Sequence, residues 1–438
     1  MLSLRWLPNV YTFGRMEAKF VDPRLQRGAA LVRAKASAIK LIAGSKYLVP
    51  SASHSGGYVV DAVERSCTCP DWADHGGPGR LHNCKHVYAV LIVSREIETP
   101  DGVVTIEQEV RVYPPRNWPV VNASLVDMPR IMPALISDLV TLIPMREGPR
   151  SRGRPQVETR DAVHGMLIKV FEERTARETV EAMERQKGKG LWGDRNLVHY
   201  NTLLREMQRD DTVTPVLQQL VGASAMPLRA IERNFAIDST CFATSRTAPW
   251  NEVKWGPVEK SSKAHWLKVH GCVGTKWHAF TAVQVTENTV GDSPMLPVLV
   301  QRTIEAGFIP RKVTADAAYL SAVNINAIES VGADAYIDFK ENTTGSSSPV
   351  LGRLFYKYMA DREAYMREYH NRSNVESAFG AMKNRFGHYL RAKRPLSQYN
   401  ELLCKVVCHN LAMIVLATHE LGIEANFGDM LVLPERAA

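Results

Sequence analysis

The sequence predicts an α/β protein in which a mixed β-sheet is flanked by helices, preceded by a helical region and by a small N-terminal module holding clustered Cys and His. Three observations carry that expectation. From Arg233 onward, three strand-like segments follow one another, and then helix and strand alternate, which is the order of a mixed sheet covered by helices. Between about 158 and 206, apolar residues recur at helical spacing. Near the start, Cys67, Cys69, Cys84 and His86 form two closely spaced pairs within "SCTCPDWADHGGPGRLHNCKH".

Size and composition set the outer limits. With 438 residues, 45% of them hydrophobic and 23% charged, the chain has room for two or three domains with real cores. A formal charge of +8 favours a polyanionic partner. The apolar runs "VYAVLIV" and "AMIVLAT" fall short of the roughly 18 residues that span a bilayer. The opening "MLSLRWLPNVYTFGRMEAKF" has no long apolar stretch followed by a small-residue cleavage site, so the expected location is cytoplasmic. Seven cysteines, an odd number in a long chain, do not suggest a disulfide framework.

Residues 1–100 read as the N-terminal module. "KYLVPS" and "GGYVVDAVERS" look like two strands of a hairpin. On an extended segment, Cys67 and Cys69 point the same way, because side chains repeat every second residue. Cys84 and His86 lie just before the apolar run Val87 to Val93, at the opening turn of a helix. Three thiolates and one imidazole close a tetrahedral shell, the pattern of a structural zinc, with His75 and His82 as neighbouring alternatives. Strands, a CxC pair, the aromatic Trp72, then CxH and a helix together resemble the SWIM zinc finger. That resemblance implies a module that binds DNA or protein.

Residues 101–155 are rich in proline and end in a basic stretch, and so read as a linker. Its "RGRP", Arg152 to Pro155, is similar to the AT-hook that lies in narrow minor grooves. Residues 156–228 follow as a helical domain. Ala162, Met166, Val170 and Phe171 set a first periodic run, "TARETVEAME" continues it, and a second amphipathic helix starts near Tyr200 or Asn201 after "KGKGLWG". Helix, turn and helix is a DNA-reading geometry, and it is equally the pattern of helices that merely pack together.

Residues 229–392 form the expected sheet domain, and 393–438 a C-terminal helical element. "NFAIDST" delivers Asp238 near the end of a strand, and "HWLKVHGCVG" and "WHAFTAVQVTE" follow as two more. A helix from about 296 to 306, the strand "KVTADAAY" with Asp316, a helix near 320 to 330 and the strand "DAYIDF" complete the order. First and fourth strands become neighbours, which brings Asp238 and Asp316 to one end of the sheet. Two carboxylates so placed repel, and a divalent cation with hard oxygen ligands, magnesium or manganese, relieves them. Glu376, on a later helix, is the candidate third carboxylate; Asp292, Asp334 and Asp338 rank below Asp316. Cys241 and Cys272 read as buried small residues.

The segment "EYHNRSNVESAFGAMKNRFG" reads as one helix. At roughly 100° per residue, Tyr369, Arg372, Glu376 and Lys383 share a sector about 60° wide beside the apolar stripe of Val375, Phe379, Met382 and Phe386. With Asp238 and Asp316 placed before it, this helix matches the Tyr-x2-Arg-x3-Glu-x6-Lys signature of the insertion-sequence transposases grouped around insertion sequence four, and "HYNTLLREM", "IDST" and "ADAAY" resemble other parts of that group.

The resemblance, over about 155 to 420, implies an RNase H-like fold and a DDE transposase. It implies Asp238, Asp316 and Glu376 as the catalytic acids holding magnesium or manganese, and Tyr369, Arg372 and Lys383 as contacts to DNA phosphates. It also implies nicking of transposon ends, joining of the 3′ ends to target DNA by two-metal-ion chemistry, and a homodimer or larger assembly when two ends are brought together. Some relatives carry an insertion with a base-stacking tryptophan before the glutamate helix. Here that stretch has no Trp, and Phe355, Tyr356 and Tyr358 are its aromatics. Two other readings compete: a transposase-derived DNA-binding regulator that no longer cuts, and another RNase H-like nuclease.

Overall fold

A computed structural model of the chain describes residues 23–35, 38–51, 56–76, 83–93, 117–145, 156–245, 266–339, 343 and 348–431. The described residues divide into two units, one within 13–114 and one from 115 onward, each with its own hydrophobic core. The AT-hook-like Arg152 to Pro155 and His82 lie outside the described residues.

In the first unit, helix α1 (Pro23–Lys35) precedes strands β1 (Lys40–Ala43), β2 (Lys46–Pro50), β3 (Gly57–Asp61) and β4 (Ser66–Cys67), which pair antiparallel in chain order. The short helix α2 (Pro70–His75) and helix α3 (Lys85–Val93) follow. Val49 and Val60 from the two central strands are fully buried together with Val87 and Val90 of α3. Close packing of α1 on α3 needs a glycine at Gly28, since a Cβ there would stand 2.8 Å from the Lys85 carbonyl oxygen and from Tyr88 Cβ.

The second unit begins with α4 (Trp118–Val140), α5 (Thr159–Phe171), α6 (Ala176–Gly188), α7 (Tyr200–Glu206) and α8 (Val213–Ala225). The first of these corrects the linker expected over 101–155. Prolines ordinarily break a helix, and this one carries Pro129 and Pro133 internally. Its side chains nevertheless bury a continuous stripe through Val121, Ser124, Met128, Met132, Leu135, Ile136 and Leu139, and Asn117 caps its start by accepting from the Val120 amide. Tertiary burial outweighs the local penalty.

The sheet follows as β5 (Asn234–Ala243), β6 (Trp266–Gly274) and β7 (Phe280–Glu287), then α9 (Met295–Glu305), β8 (Lys312–Ala315), α10 (Ala322–Ser330) and β9 (Asp334–Ile337). Its order is β7-β6-β5-β8-β9, antiparallel across the first three strands and parallel from β5 to β8 and β9. Helices α11 (Pro349–Ala360), α12 (Arg362–Tyr369), α13 (Ser373–Phe386) and α14 (Pro395–Leu421) complete the chain.

The boundaries expected at 228/229 and 392/393 do not separate independent bodies. One hydrophobic core runs from Val121 to Phe427, and α14 passes through it against α4, α5, α8 and β7. That helix is long and apolar enough to cross a membrane, although the sequence showed only shorter runs, yet 89% of its most apolar stretch is buried inside the unit. Its polar residues are bonded within: Asn410 accepts from the Phe280 amide and donates to the Phe280 carbonyl, both at 2.8 Å, so it extends the edge of β7 as a strand would.

A buried carboxylate secures the turn between β6 and β7. Glu232 is 1% exposed and accepts the backbone N–H groups of Lys276 and Trp277. Burial pushes its carboxyl up to about 7, against the pull of those two amides. Its proton is therefore held more tightly in the folded chain. Stability from this group is greatest below its ordinary value and falls as pH rises toward 7. Glu232→Ala leaves one buried and one part-buried donor without acceptors and is expected to cost about 2–4 kcal/mol, measured as a drop in the thermal midpoint of this unit.

Candidate active site and zinc centre

In the first unit, the extended backbone at Cys67 and Cys69 and the first turn of α3 converge on one point. The ligand atoms of Cys67, Cys69, Cys84 and His86 are buried and all lie within 4.8 Å of one another. His86 Nδ1 stands 3.9 Å from the sulfurs of both Cys67 and Cys84. A tetrahedral zinc with arms of about 2.3 Å to sulfur has edges of roughly 3.8 Å, so the set fits that ion with His86 binding through Nδ1. Of the two alternative histidines, His75, the one within the described residues, is exposed and turned to Asp71 instead.

Crowding shapes the thiols. The hydrogen bond with Cys84, and then burial, hold the Cys67 thiol well above its ordinary value, burial raises Cys69, and Cys84 is lowered to about 4, chiefly by its hydrogen bond with Cys67. One sulfur thus ionises easily, while the other two give up their protons when a cation takes their place. The Cys69 sulfur also caps α2 by accepting from the Trp72 amide at 3.4 Å.

In the second unit the acids are placed by strand register. β5 runs parallel to β8 with Ile237 beside Ala315, so Asp238 and Asp316 occupy the next equivalent positions. Pairing with β8 stops there while β5 continues to Ala243, so Asp238 lies mid-strand rather than near a strand end as the sequence suggested. Asp316 caps the 3-10 turn Ala317–Tyr319 by accepting from the Ala317 amide. Across the sheet Asp238 faces Gly271, where a Cβ would come within 2.9–3.1 Å of Phe280 and Phe379. The glycine lets α13 lie close on the face that carries Asp238.

Arg372 ties two of the acids together. Its Nη1 is 2.9 Å from Asp238 Oδ2 and its Nη2 is 2.8 Å from Glu376 Oε1. The Ser239 amide donates to Asp238 Oδ1 at 2.7 Å. Burial raises the Asp238 carboxyl, and Asp316 and Glu376 push it further in the same direction, against the Ser239 amide and Arg372. Among the described residues, only the Cys and His set brings three or more such ligand atoms within 4.8 Å of one another. Asp238 and Glu376 therefore meet through the guanidinium rather than directly, while Asp316 stands next to Asp238 in the strand register. Their hard oxygen donors fit a divalent magnesium or manganese ion.

The single helix expected over 368–387 is two helices joined by a 3-10 turn at His370–Arg372. Asn371, Ser373 and Asn374 cause the break by bonding their side chains to the carbonyls of Glu368, His370 and Asn371. Tyr369 consequently ends α12 and is 8% exposed, so it forms part of the wall rather than the rim. Its phenol is pushed up to about 12 by burial and by Asp338. Lys383 donates to Thr240 Oγ1 at 2.6 Å and stands 5.2 Å from the centre of the Phe242 ring, on the same face of β5 as Asp238.

Of the competing acids, Asp334 pairs with Lys357 at the surface and Asp338 accepts from the Phe339 amide. Phe355 and Tyr358 pack around Phe339, whereas Tyr356 is 68% exposed. Cys272 is buried and Cys241 half-buried. Sequence reasoning missed the group on the opposite face of the sheet, Lys268, His270 and Asp292. Lys and His two apart on a strand share a face, which was the signal for it.

Two family models match the chain. The one described as "Transposase DDE domain" covers residues 230–411, and the one described as "SWIM zinc finger" covers residues 56–94. No curated protein matches the chain.

Proposed function

We propose, from the premise that this chain belongs to the DDE transposases and carries a SWIM zinc finger, that it nicks the ends of a mobile DNA element and joins the freed 3′ ends to target DNA. The single observation that supports this reading best is how Asp238, Asp316 and Glu376 are held. The two aspartates share a register position on adjacent parallel strands, and Arg372 links one of them to the glutamate.

Held by these carboxylates, divalent magnesium ions would supply activation of the attacking hydroxyl and stabilisation of the departing oxygen in an in-line phosphodiester displacement. The chain's own residues do the rest. Asp238 and Asp316 offer oxygens from a rigid sheet, and Glu376 offers its own from α13. Arg372 exchanges its carboxylate partners for a DNA phosphate as the end arrives, Lys383 adds charge on the same side, and Tyr369 walls the position of Arg372. No protein nucleophile takes part. Two protomers or more hold the two ends together.

The test uses labelled DNA from the two flanks of the coding region. Wild-type protein is expected to cut at one position in each flank in magnesium, to bind without cutting in calcium, and to yield strand-transfer products with plasmid target. Arg372→Ala is expected to weaken end binding and to lower the salt slope by about one. Binding without any cutting in magnesium or manganese would make the protein a regulator, and cutting without strand transfer would make it a different nuclease.

A further inference from the structure

On the face of the sheet opposite Asp238, a second polar group is assembled around Asp292. Ser239 and His270 are cross-strand partners on β5 and β6, and Lys268 lies two residues along from His270 on the same face. Asp292, in the loop before α9, brings Oδ1 to 2.8 Å from Lys268 Nζ and 3.2 Å from His270 Nδ1. His270 is fully buried, and its Nε2 lies 2.9 Å from the Thr286 hydroxyl on β7. Burial opposes the charge on Asp292, yet the neighbouring Lys268 ammonium and Ser239 hold its carboxyl below the ordinary range. The residue stays an anion in a place that disfavours one.

Two connections run from this anion to the catalytic aspartates. The first is short: Asp292 meets His270, the cross-strand partner of Ser239, and the amide of that serine donates to Asp238 Oδ1 at 2.7 Å. The second goes through the turn after Asp316. Asn324 donates to the Ser293 hydroxyl beside Asp292 at 3.0 Å and to the Tyr319 carbonyl at 2.7 Å, and the Tyr319 amide in turn donates to the Asp316 carbonyl at 2.9 Å. The Tyr319 phenol, 1% exposed, is raised first by burial and then by Asp292, Asp238 and Asp316, which puts it within the field of all three acids.

We propose that Asp292 is a positioning residue for the catalytic site, fixing Asp238 through Ser239 and Asp316 through the Asn324–Tyr319 turn. This rests on the reading of the three acids as a metal-holding set. Asp292 thus sits against the cross-strand partner of Ser239, and Ser293, which follows it, is bonded to the Asn324 side chain that holds the turn after Asp316. Groups that orient a metal ligand from behind typically alter metal affinity by about 10–100-fold when removed, and an effect in that range is expected here.

The experiment measures Mn2+ affinity by electron paramagnetic resonance on the full, zinc-loaded chain, with thermal midpoint and DNA-end affinity read in parallel. Asp292→Asn is expected to weaken Mn2+ binding about tenfold or more, to leave end affinity unchanged, and to lower kcat more than it changes KM. Tyr319→Phe and Ser239→Ala are expected to move Mn2+ affinity the same way to a smaller extent. Wild-type Mn2+ affinity in Asp292→Asn, alongside lost affinity in Asp238→Asn, would overturn the positioning role and leave the reading of the three acids intact. Unchanged affinity in both variants would overturn the two together. Should Asp292→Asn fail to fold, Ser239→Ala decides, and wild-type affinity there counts against the proposal.

Discussion

Asp238→Ala, Asp316→Ala and Glu376→Ala are each expected to reduce DNA cleavage by on the order of a thousandfold or more, about 4 kcal/mol in the barrier, while end binding stays within a few-fold of wild type. The expectation follows from how the acids are held. Asp238 is fixed on the sheet by the Ser239 amide, Asp316 by its own turn, and Glu376 by Arg372, so each variant removes oxygen donors without dismantling the scaffold. Binding persists because cationic groups, and not the acids, meet phosphates. Gel-resolved cleavage and fluorescence anisotropy on the same DNA check both halves.

A stability effect of opposite sign accompanies the loss of activity. In the folded chain the Asp238 carboxyl is raised above its ordinary 3.8, by burial first and then by Asp316 and Glu376. Its proton is held more tightly folded than unfolded. The contribution to stability is therefore fullest below 3.8 and is lost as pH rises through the folded value, so at neutral pH the ionised group is a burden. Asp238→Asn should raise the thermal midpoint of the second unit at pH 7 in buffer without added divalent ions, with the gap to wild type closing in acid. A site that costs stability while serving chemistry is the expected signature of a functional constellation.

Removal of zinc is expected to unfold the first unit and leave the second folded. Four buried ligand atoms within 4.8 Å stand in a core otherwise built on a handful of side chains such as Leu25, Val49, Val60 and Val87. Structural zinc contributes on the order of 10 kcal/mol to domains of this size, more than such a core supplies alone. Because the two units have separate hydrophobic cores, chelation should abolish one calorimetric transition and spare the other. Cys67→Ser or Cys84→Ser should do the same without chelator. Retention of stoichiometric zinc by either variant would contradict the ligand assignment.

Much of this was legible in the residues because period and spacing are local. The CxC and CxH pairs and the strand order that makes β5 and β8 neighbours follow from such pattern, and the acids at 238, 316 and 376 are proposed from that order and from the family resemblance. Local pattern failed where tertiary contacts decide. Pro129 and Pro133 made α4 read as linker, although its buried stripe packs against α14. The C-terminal element read as a helix of its own, yet α14 unites what looked like three domains, because its burial against the others is set by tertiary contacts. The side chains of Asn371, Ser373 and Asn374 break a helix that periodicity alone would carry through. Asp292 stood in a turn far from Asp238 in sequence, and the pairing of β5 with β6 sets Ser239 beside the His270 that it meets.

The central claim is that three carboxylates from separate parts of the chain act as one metal-holding group. Titration of the zinc-loaded protein with Mn2+, followed by electron paramagnetic resonance, addresses it without depending on any DNA sequence. Wild type should bind the ion, and Asp238→Asn, Asp316→Asn and Glu376→Gln should each weaken that binding at least about tenfold while keeping the fold. Three folded variants that take up Mn2+ as wild type does would contradict the account.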